Sequence, residues 1–588
     1  MIVGVAAVLR FVKLGERPMH HDESLDAWFS WRISHGEAYS YDPAYHGPLR
    51  FYLTAGFFRL LGEGEVTARL LAASCGVGMV ALAGALRRWL GDVGSLAAAA
   101  LLAVSPSMLY FSRFGREDMP FALLELALLV VVASWLTRPA RWHPPVAGAL
   151  LAAAFATKET SFIVVAVLAT YLGGLWLLEV LDRHRPATAT APPPPTSAEA
   201  QPVGVSPAAG AGRPPDEAAV ELVASTRPVA VGVDVPDGVS SAEPGGVTEP
   251  GLGNVDERGG GEVAEVGSGV PVAGSVGEAV RAPGWRWLGL GAAAFVLVFS
   301  ACFSVGFTNP GGVVDGAVDG IDYWMSQQPV NRGSQPWLFY VTLLAGYEWV
   351  VVPLAVVGAV VAVRRPDPVR GLILWTAVAN LIIYSWASER FPWLVVHPLL
   401  PLVLLAGLGV ERLWQLRPVV AGGVMGAAVA ASLVVAWPAV YVGPSDPRQL
   451  LVAVQSSEQL LDVRDRVDEV LAATPDAKVV IDTSDSATWP WAWYLRDDSV
   501  LFADLAADPG AVADADVVLA MASNVAALPA PPGGWRAQPF AHRVWWLPPW
   551  DDSSPADWAG WITTRETFGP LGSLDAVELE RPDLQPSP

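Results

Sequence analysis

The chain has 588 residues, of which 52% are hydrophobic and only 16% charged, and its mean hydropathy is +0.38. That exceeds what a soluble globular protein carries and reads as a polytopic membrane protein. A formal charge of −21 argues against a nucleic-acid partner, and two cysteines, Cys75 and Cys302, both in apolar runs, exclude a disulfide framework and a cysteine-based metal centre.

The first apolar run, MIVGVAAVLRFVKL at 1–14, is shorter than the roughly 20 residues a spanning helix needs and lacks the flanks of a signal peptide, so it reads as a first span truncated by a misassigned start. Directly after it comes the polar stretch MHHDES at 19–24. The apolar segment FYLTAGFFRLL at 51–61 has the length of an interfacial helix rather than a crossing one. Ten further spans are expected near 67–86, 94–111, 119–136, 145–157, 161–181, 285–307, 338–363, 371–387, 393–410 and 419–441, about eleven in all. Between the fifth and sixth of these ten, the 186–284 insert is rich in Pro, Gly and Ala, holds thirteen acidic residues against four Arg, and is expected to be disordered. The membrane region thus divides into 1–185, which carries the first outer loop, and 285–441. After it the texture changes: 478–482 (KVVID), 499–503 (SVLFA), 515–520 (ADVVLA) and 543–547 (RVWWL) read as buried strands, with helices at 447–473 and 488–496. The expected fold is mainly α, a polytopic helical membrane region with a small α/β domain at 446–588.

Arg87/Arg88, Arg138/Arg141, Arg183/Arg185, Arg364/Arg365/Arg370 and Arg412/Arg417 fall in every second loop, which makes that side cytoplasmic. MHHDES and the α/β domain are then outside the cell membrane, and the N-terminus is inside. Ionisable residues collect in the outer loops: His20, His21, Asp22, Glu23, Asp26, Asp42 and His46; then Arg113, Arg116, Glu117 and Asp118 in SRFGREDMP; then Lys158 and Glu159. A long loop at 308–336 adds Asp315, Asp319, Asp322, Tyr323, Trp324 and Arg332, and Glu389 and Arg390 stand before Trp393. Ionisable groups beside membrane spans are functional candidates by default. A lipid-linked phosphosugar keeps its tail in the bilayer and its reacting bond at the interface. Transfer of its sugar needs a base for the acceptor and cations for the leaving phosphate. Asp22 or Glu23 suits the first role, and Lys158, Arg390 and Arg116 the second. The plainer reading of Asp22 and Glu23 is that they cap an interfacial helix. His20 and His21, on an extended segment, would point to opposite faces and not share a metal ion. The plainer reading of Arg113 and Arg116, three apart, is that they complement a helix C-terminus.

The outer-loop H-D-E after a short first span, GPLRFYLTAGFFRLLG, SRFGREDMP, TKETSF and ERFPWLVVHPLLPL together resemble the GT-C superfamily of polyprenyl-phosphate-sugar glycosyltransferases. That group includes the dolichyl-phosphate-mannose protein mannosyltransferases and lipid A aminoarabinose transferases. The pattern is most like the flippase-activity-associated proteins of archaeal N-glycosylation. The resemblance spans 1–441 without the insert. It implies Asp22 as catalytic base supported by Glu23, Glu117 or Asp118 as the second acidic position, and Lys158, Arg390 and Arg116 on the lipid phosphate. Sugar or acceptor contacts would come from His46, Glu159, Glu389 and Trp393. Some superfamily members use a divalent metal such as Mg or Mn, for which Asp22 and Asp118 would be ligands. The implied activity is inverting transfer from a polyprenyl- or dolichyl-phosphate sugar to a glycan or protein acceptor. The rival reading is a non-catalytic flippase accessory that binds the lipid-linked sugar.

Overall fold

A computed structural model describes residues 1–183, 276–330, 333 and 335–584. Seven of its helices are long and apolar enough to cross a membrane: Glu65–Leu90, Asp118–Thr137, Ser161–Asp182, Trp285–Phe303, Pro368–Trp386, Pro392–Leu416 and Pro418–Val442. The stretch expected to span at 338–363 is a pair, Phe339–Tyr347 and Val351–Arg364, bent by 108°. At the bend the buried Glu348 carboxylate accepts from the Ser105 hydroxyl at 2.8 Å and the Ser107 amide at 2.9 Å. The remaining expected positions fall on shorter apolar helices, Ile2–Phe11, Asp92–Val104 and His143–Phe155. The 94–111 expectation was one helix; the chain instead breaks at Ser105, whose hydroxyl caps a second helix, Pro106–Phe111. Pro106 lacks an amide proton and suits the first turn of the new helix, not the interior of the old one.

The Pro392–Leu416 helix is the centre of the bundle and almost wholly buried. Its glycines let neighbours approach: a Cβ on Gly407 would lie 2.5 Å from the Gly94 carbonyl, and one on Gly358 would lie 1.8 Å from the Leu405 carbonyl. Small residues at such crossings are how helices gain packing where no water is expelled. Most of the 186–284 insert lies outside the described residues. Its end does not: Val276–Arg281 is helical and the Ala279 carbonyl accepts from the Trp135 indole at 2.8 Å.

The C-terminal sheet has six strands, β1 Gln455–Ser456, β2 Val479–Asp482, β3 Val500–Ala503, β4 Val517–Met521, β5 Arg536–Trp545 and β6 Gly572–Glu580, in the order β1-β5-β6-β4-β2-β3. The β2 strand pairs in parallel with β3 and β4, and the other pairings are antiparallel. All four expected strands are present. The 447–473 helix is shorter than expected, Gln459–Ala473, because turns and β1 occupy its first part. The domain sits on the first polar loop: Trp493 is buried with Met19, Ala27, Phe58 and Ala68, and the Tyr494 hydroxyl accepts from the Met19 amide at 2.8 Å.

Candidate active site

The MHHDES stretch is not extended; it is the start of a helix, His21–Ser34. His20 Nδ1 accepts from the Asp22 amide at 3.1 Å while the Glu23 carboxylate accepts from the His20 amide at 3.1 Å, a capping box with histidine as N-cap. The helical turn brings the two imidazoles together, ring centroids 4.3 Å apart, contrary to the divergence expected of an extended segment. Burial first, and then His21, pushes His20 well below its ordinary pKa; burial, Arg543 and Arg116 do the same to His21.

Glu23 and Asp22 take different surroundings from adjacent positions. Glu23 is fully enclosed and accepts from Arg17 (3.0 Å), Arg69 (2.9 and 3.1 Å) and the Gly115 amide (2.6 Å). Burial alone would raise its pKa, but Arg17 and Arg69 outweigh it and hold the carboxyl at about 2. The Asp22 side chain is 28% exposed; it pairs with Arg116 and meets His21 Nε2 at 2.9 Å. Asp22 is thus the open carboxylate of the pair, and Glu23 the one that fixes the loop.

Behind Asp22 lies a buried ionic layer. Glu117, wholly enclosed, is met by Arg116 (2.9 Å), Lys158 (3.2 Å) and Arg50 (2.6 Å), with His46 Nε2 at 3.4 Å. Burial would raise its pKa, yet these cations, Arg116 foremost, hold it well below the ordinary range. Arg50 also pairs with Asp26 and donates to the Tyr45 carbonyl at 2.5 Å. The Asp26 carboxyl goes the other way, pushed well up by burial and by Glu117, although Arg50 opposes the shift. Lys158 contacts Asp118 at 2.5 Å; burial works against the ammonium, but Asp118 and Glu117 keep its pKa raised. His397 continues the layer into the bundle, with Nε2 3.6 Å from Asp118 and Nδ1 2.7 Å from Glu125.

The open side is a cleft of about 810 Å³. Of the residues singled out in the sequence, His20, His21, Asp22, Asp26, His46, Arg116, Trp324, Glu389 and Trp393 line it. Arg116 lies over the Trp393 ring at 4.3 Å and its buried Nε has no hydrogen-bond partner. Glu117, Asp118 and Lys158 form the layer beneath. Glu159 braces it, accepting from Tyr41 and meeting His46 Nδ1, each at 2.9 Å. Arg390 stands apart from this grouping: its guanidinium donates to the Ser385 (3.0 Å) and Gln335 (2.6 Å) carbonyls and ties two loops together. Arg113 likewise binds carbonyls, those of Arg10 (2.9 Å) and Lys13 (2.8 Å) among them. Arg332 lies outside the described residues.

Among the described residues, one trio of metal-ligand type has donor atoms within 4.8 Å of one another: His20, His21 and Asp22. It fits Mg or Mn poorly. Those ions favour oxygen donors, His20 is spent on the Asp22 amide and the Ala453 carbonyl, and a guanidinium already holds Asp22. The Asp22–Asp118 pairing expected for a metal is also taken up by Arg116 and Lys158.

Arg17, Arg50 and Arg69 are the functional neighbours that motif reading missed. Arg50 interrupts the apolar 49–61 helix and Arg69 lies within a spanning helix, placements that flag an ionisable group as important. The α/β domain contributes Ala453 and Val454 to the cleft wall.

Residues 45–181 match the family model described as dolichyl-phosphate-mannose-protein mannosyltransferase, a stretch that holds Arg50, Glu117, Asp118 and Lys158 and begins after Asp22. No curated protein matches the chain in sequence. In structure it is similar to ArnT from Cupriavidus metallidurans bound to undecaprenyl phosphate, at 15% identity and a TM-score of 0.53, covering 99% of this chain and 98% of that one. The apo state of the same protein gives 14% identity and a TM-score of 0.51 over 98% and 96% of the two chains. The oligosaccharyltransferase from Archaeoglobus fulgidus, in its apo form, gives 12% identity and a TM-score of 0.48 over 88% and 68%. This multi-pass membrane chain thus has an ArnT-like fold, and its 45–181 stretch matches the mannosyltransferase family model.

Proposed function

We propose that the protein is an inverting membrane glycosyltransferase that moves a sugar from a polyprenyl-phosphate donor to an acceptor hydroxyl in the cleft. The observation that carries this reading is the split between Asp22, open to the cleft, and Glu23, Glu117 and Asp118, which are enclosed and neutralised by cations. A base must reach its proton. Likeness in fold to a protein bound to undecaprenyl phosphate supports a lipid-phosphate donor.

Asp22 and the donor phosphate would compete for Arg116. When the phosphate takes the guanidinium, Asp22 is released to accept the acceptor proton. The acceptor oxygen then attacks the anomeric carbon from the face opposite the phosphate. The bond from that carbon to the phosphate oxygen breaks, its electron pair leaves with the phosphate, and Arg116 stabilises the charge. Trp324, Phe391 and Trp393 line the cleft and are the aromatic residues a sugar would meet, with Arg116 and Phe391 already lying on the Trp393 ring. The alternation of basic loops supports an extracytoplasmic position for the cleft. Arg116→Gln in purified protein tests the phosphate role: weaker binding of polyprenyl phosphate is expected, and unchanged binding would remove Arg116 from it. Lipid-linked sugar that binds to the wild-type protein yet is never transferred to any acceptor would favour the flippase-accessory role.

A further inference from the structure

Beyond the cleft, a second, small cavity opens between the end of the first helix, Ile2–Phe11, and the end of the last span, Pro418–Val442. Lys13, Arg17 and Arg113 line it together with Tyr110 and Tyr441, and Glu16 is its one carboxylate. Glu16 is engaged by Lys13 at 2.9 Å. Arg17 is 6% exposed, and its buried Nε has no hydrogen-bond partner. That is a costly state for a guanidinium, which an anion in the cavity relieves. The flanks are apolar and exposed: Val8 (61%) and Phe11 on one side, Val434 (73%), Trp437 and Val442 on the other. A surface of that kind at the ends of spanning helices faces lipid tails.

We infer that this cavity binds the phosphate headgroup of an anionic lipid, with its acyl chains along the groove between the first and last helices. The site is separate from the cleft but linked to it. Arg17 Nη2, which donates to Glu23 at 3.0 Å, also donates to the Arg113 carbonyl at 3.2 Å, so a headgroup on Arg17 braces the side chain that fixes the residue beside Asp22.

The test is native mass spectrometry of the full chain released from detergent with phosphatidylglycerol, phosphatidylcholine or inorganic phosphate added. Retention of one phosphatidylglycerol per chain is expected, at least about tenfold above phosphatidylcholine, falling about tenfold in Lys13→Glu. Lys13 is exposed and its side chain supports no buried contact, and Arg17→Lys, which keeps the charge at Glu23, is expected to weaken retention too. Retention unchanged in both variants overturns the inference. Equal occupancy by phosphatidylcholine, or equal protection from unfolding by inorganic phosphate alone, overturns the assignment to an anionic lipid. Arg116→Gln, which alters the cleft, is expected to leave this retention intact; its loss there would mean the lipid sits in the cleft.

Discussion

Glu23 is the residue whose charge the fold needs most. Its carboxylate joins Arg17, Arg69, the Gly115 amide and the His20 amide, so its removal leaves two buried guanidinium groups without a counter-charge. Breaking such a buried pair costs about 3–5 kcal/mol. Glu23→Gln is therefore expected to lower the unfolding temperature strongly, as read by thermal denaturation in detergent. The pH dependence has a definite sign. The folded-state carboxyl is depressed to about 2 from an ordinary 4.5, so its stabilisation is present above 4.5 and is lost as pH falls from there through about 2. Wild-type protein should lose stability over that window, and Glu23→Gln should lose less. An equal acid slope in both would remove Glu23 as the source. Asp22, one position earlier, should behave otherwise: Asp22→Asn keeps the helix cap, because the cap uses the backbone amide of Asp22 and not its carboxylate. The sequence displayed the two carboxylates side by side. It could not say which faced water, because that depends on Arg17, Arg69 and Gly115 arriving from other segments.

At the scale of elements, the site depends on a close approach between the 43–48 loop and the end of the His143–Phe155 helix. A Cβ on Gly47 would lie 2.2 Å from the Ala156 carbonyl, and the Leu49 amide donates to that same carbonyl at 2.8 Å. Gly47→Ala must push these segments apart, which would carry His46 away from Glu159 and Arg50 away from Glu117. Overpacking of this kind costs about 1–3 kcal/mol. The expected result is a lower melting temperature together with reduced transfer in a reconstituted assay; wild-type values for both would show that the approach is dispensable. Apolar run length made the helices legible, and the 51–61 segment expected to be interfacial is the helix Leu49–Leu61. Breaks were less legible. Ser105-Pro106 and Glu348 divide runs that hydropathy reads as continuous, since capping and a buried carboxylate are tertiary facts. The strand β6, GSLDAVELE, carries an alternating signal that is weak beside the stronger apolar runs.

For the whole molecule, the α/β domain and the membrane bundle meet on the first polar loop. Trp493 is fully buried and stacks on Phe58 at 5.7 Å, Tyr494 receives the Met19 amide, and the Ala453 carbonyl pairs with His20 Nε2 at 2.8 Å. Trp493→Ala removes a side chain whose burial is worth about 3–5 kcal/mol. It is expected to raise amide exchange across 19–34 and lower transfer, as hydrogen exchange with mass spectrometry and the transfer assay would report. Unaltered exchange there would mean that the domain does not brace the loop. This docking was not legible in the sequence, where 446–588 reads only as a small α/β domain. Asp22 is the residue on which the proposed transfer depends. The direct measurement is sugar transfer from a polyprenyl-phosphate donor by purified protein in vesicles, comparing wild type with Asp22→Asn alongside donor binding. A loss of about 10²–10⁴-fold in turnover with donor binding retained is expected; undiminished transfer by Asp22→Asn would contradict the role of Asp22 as the base.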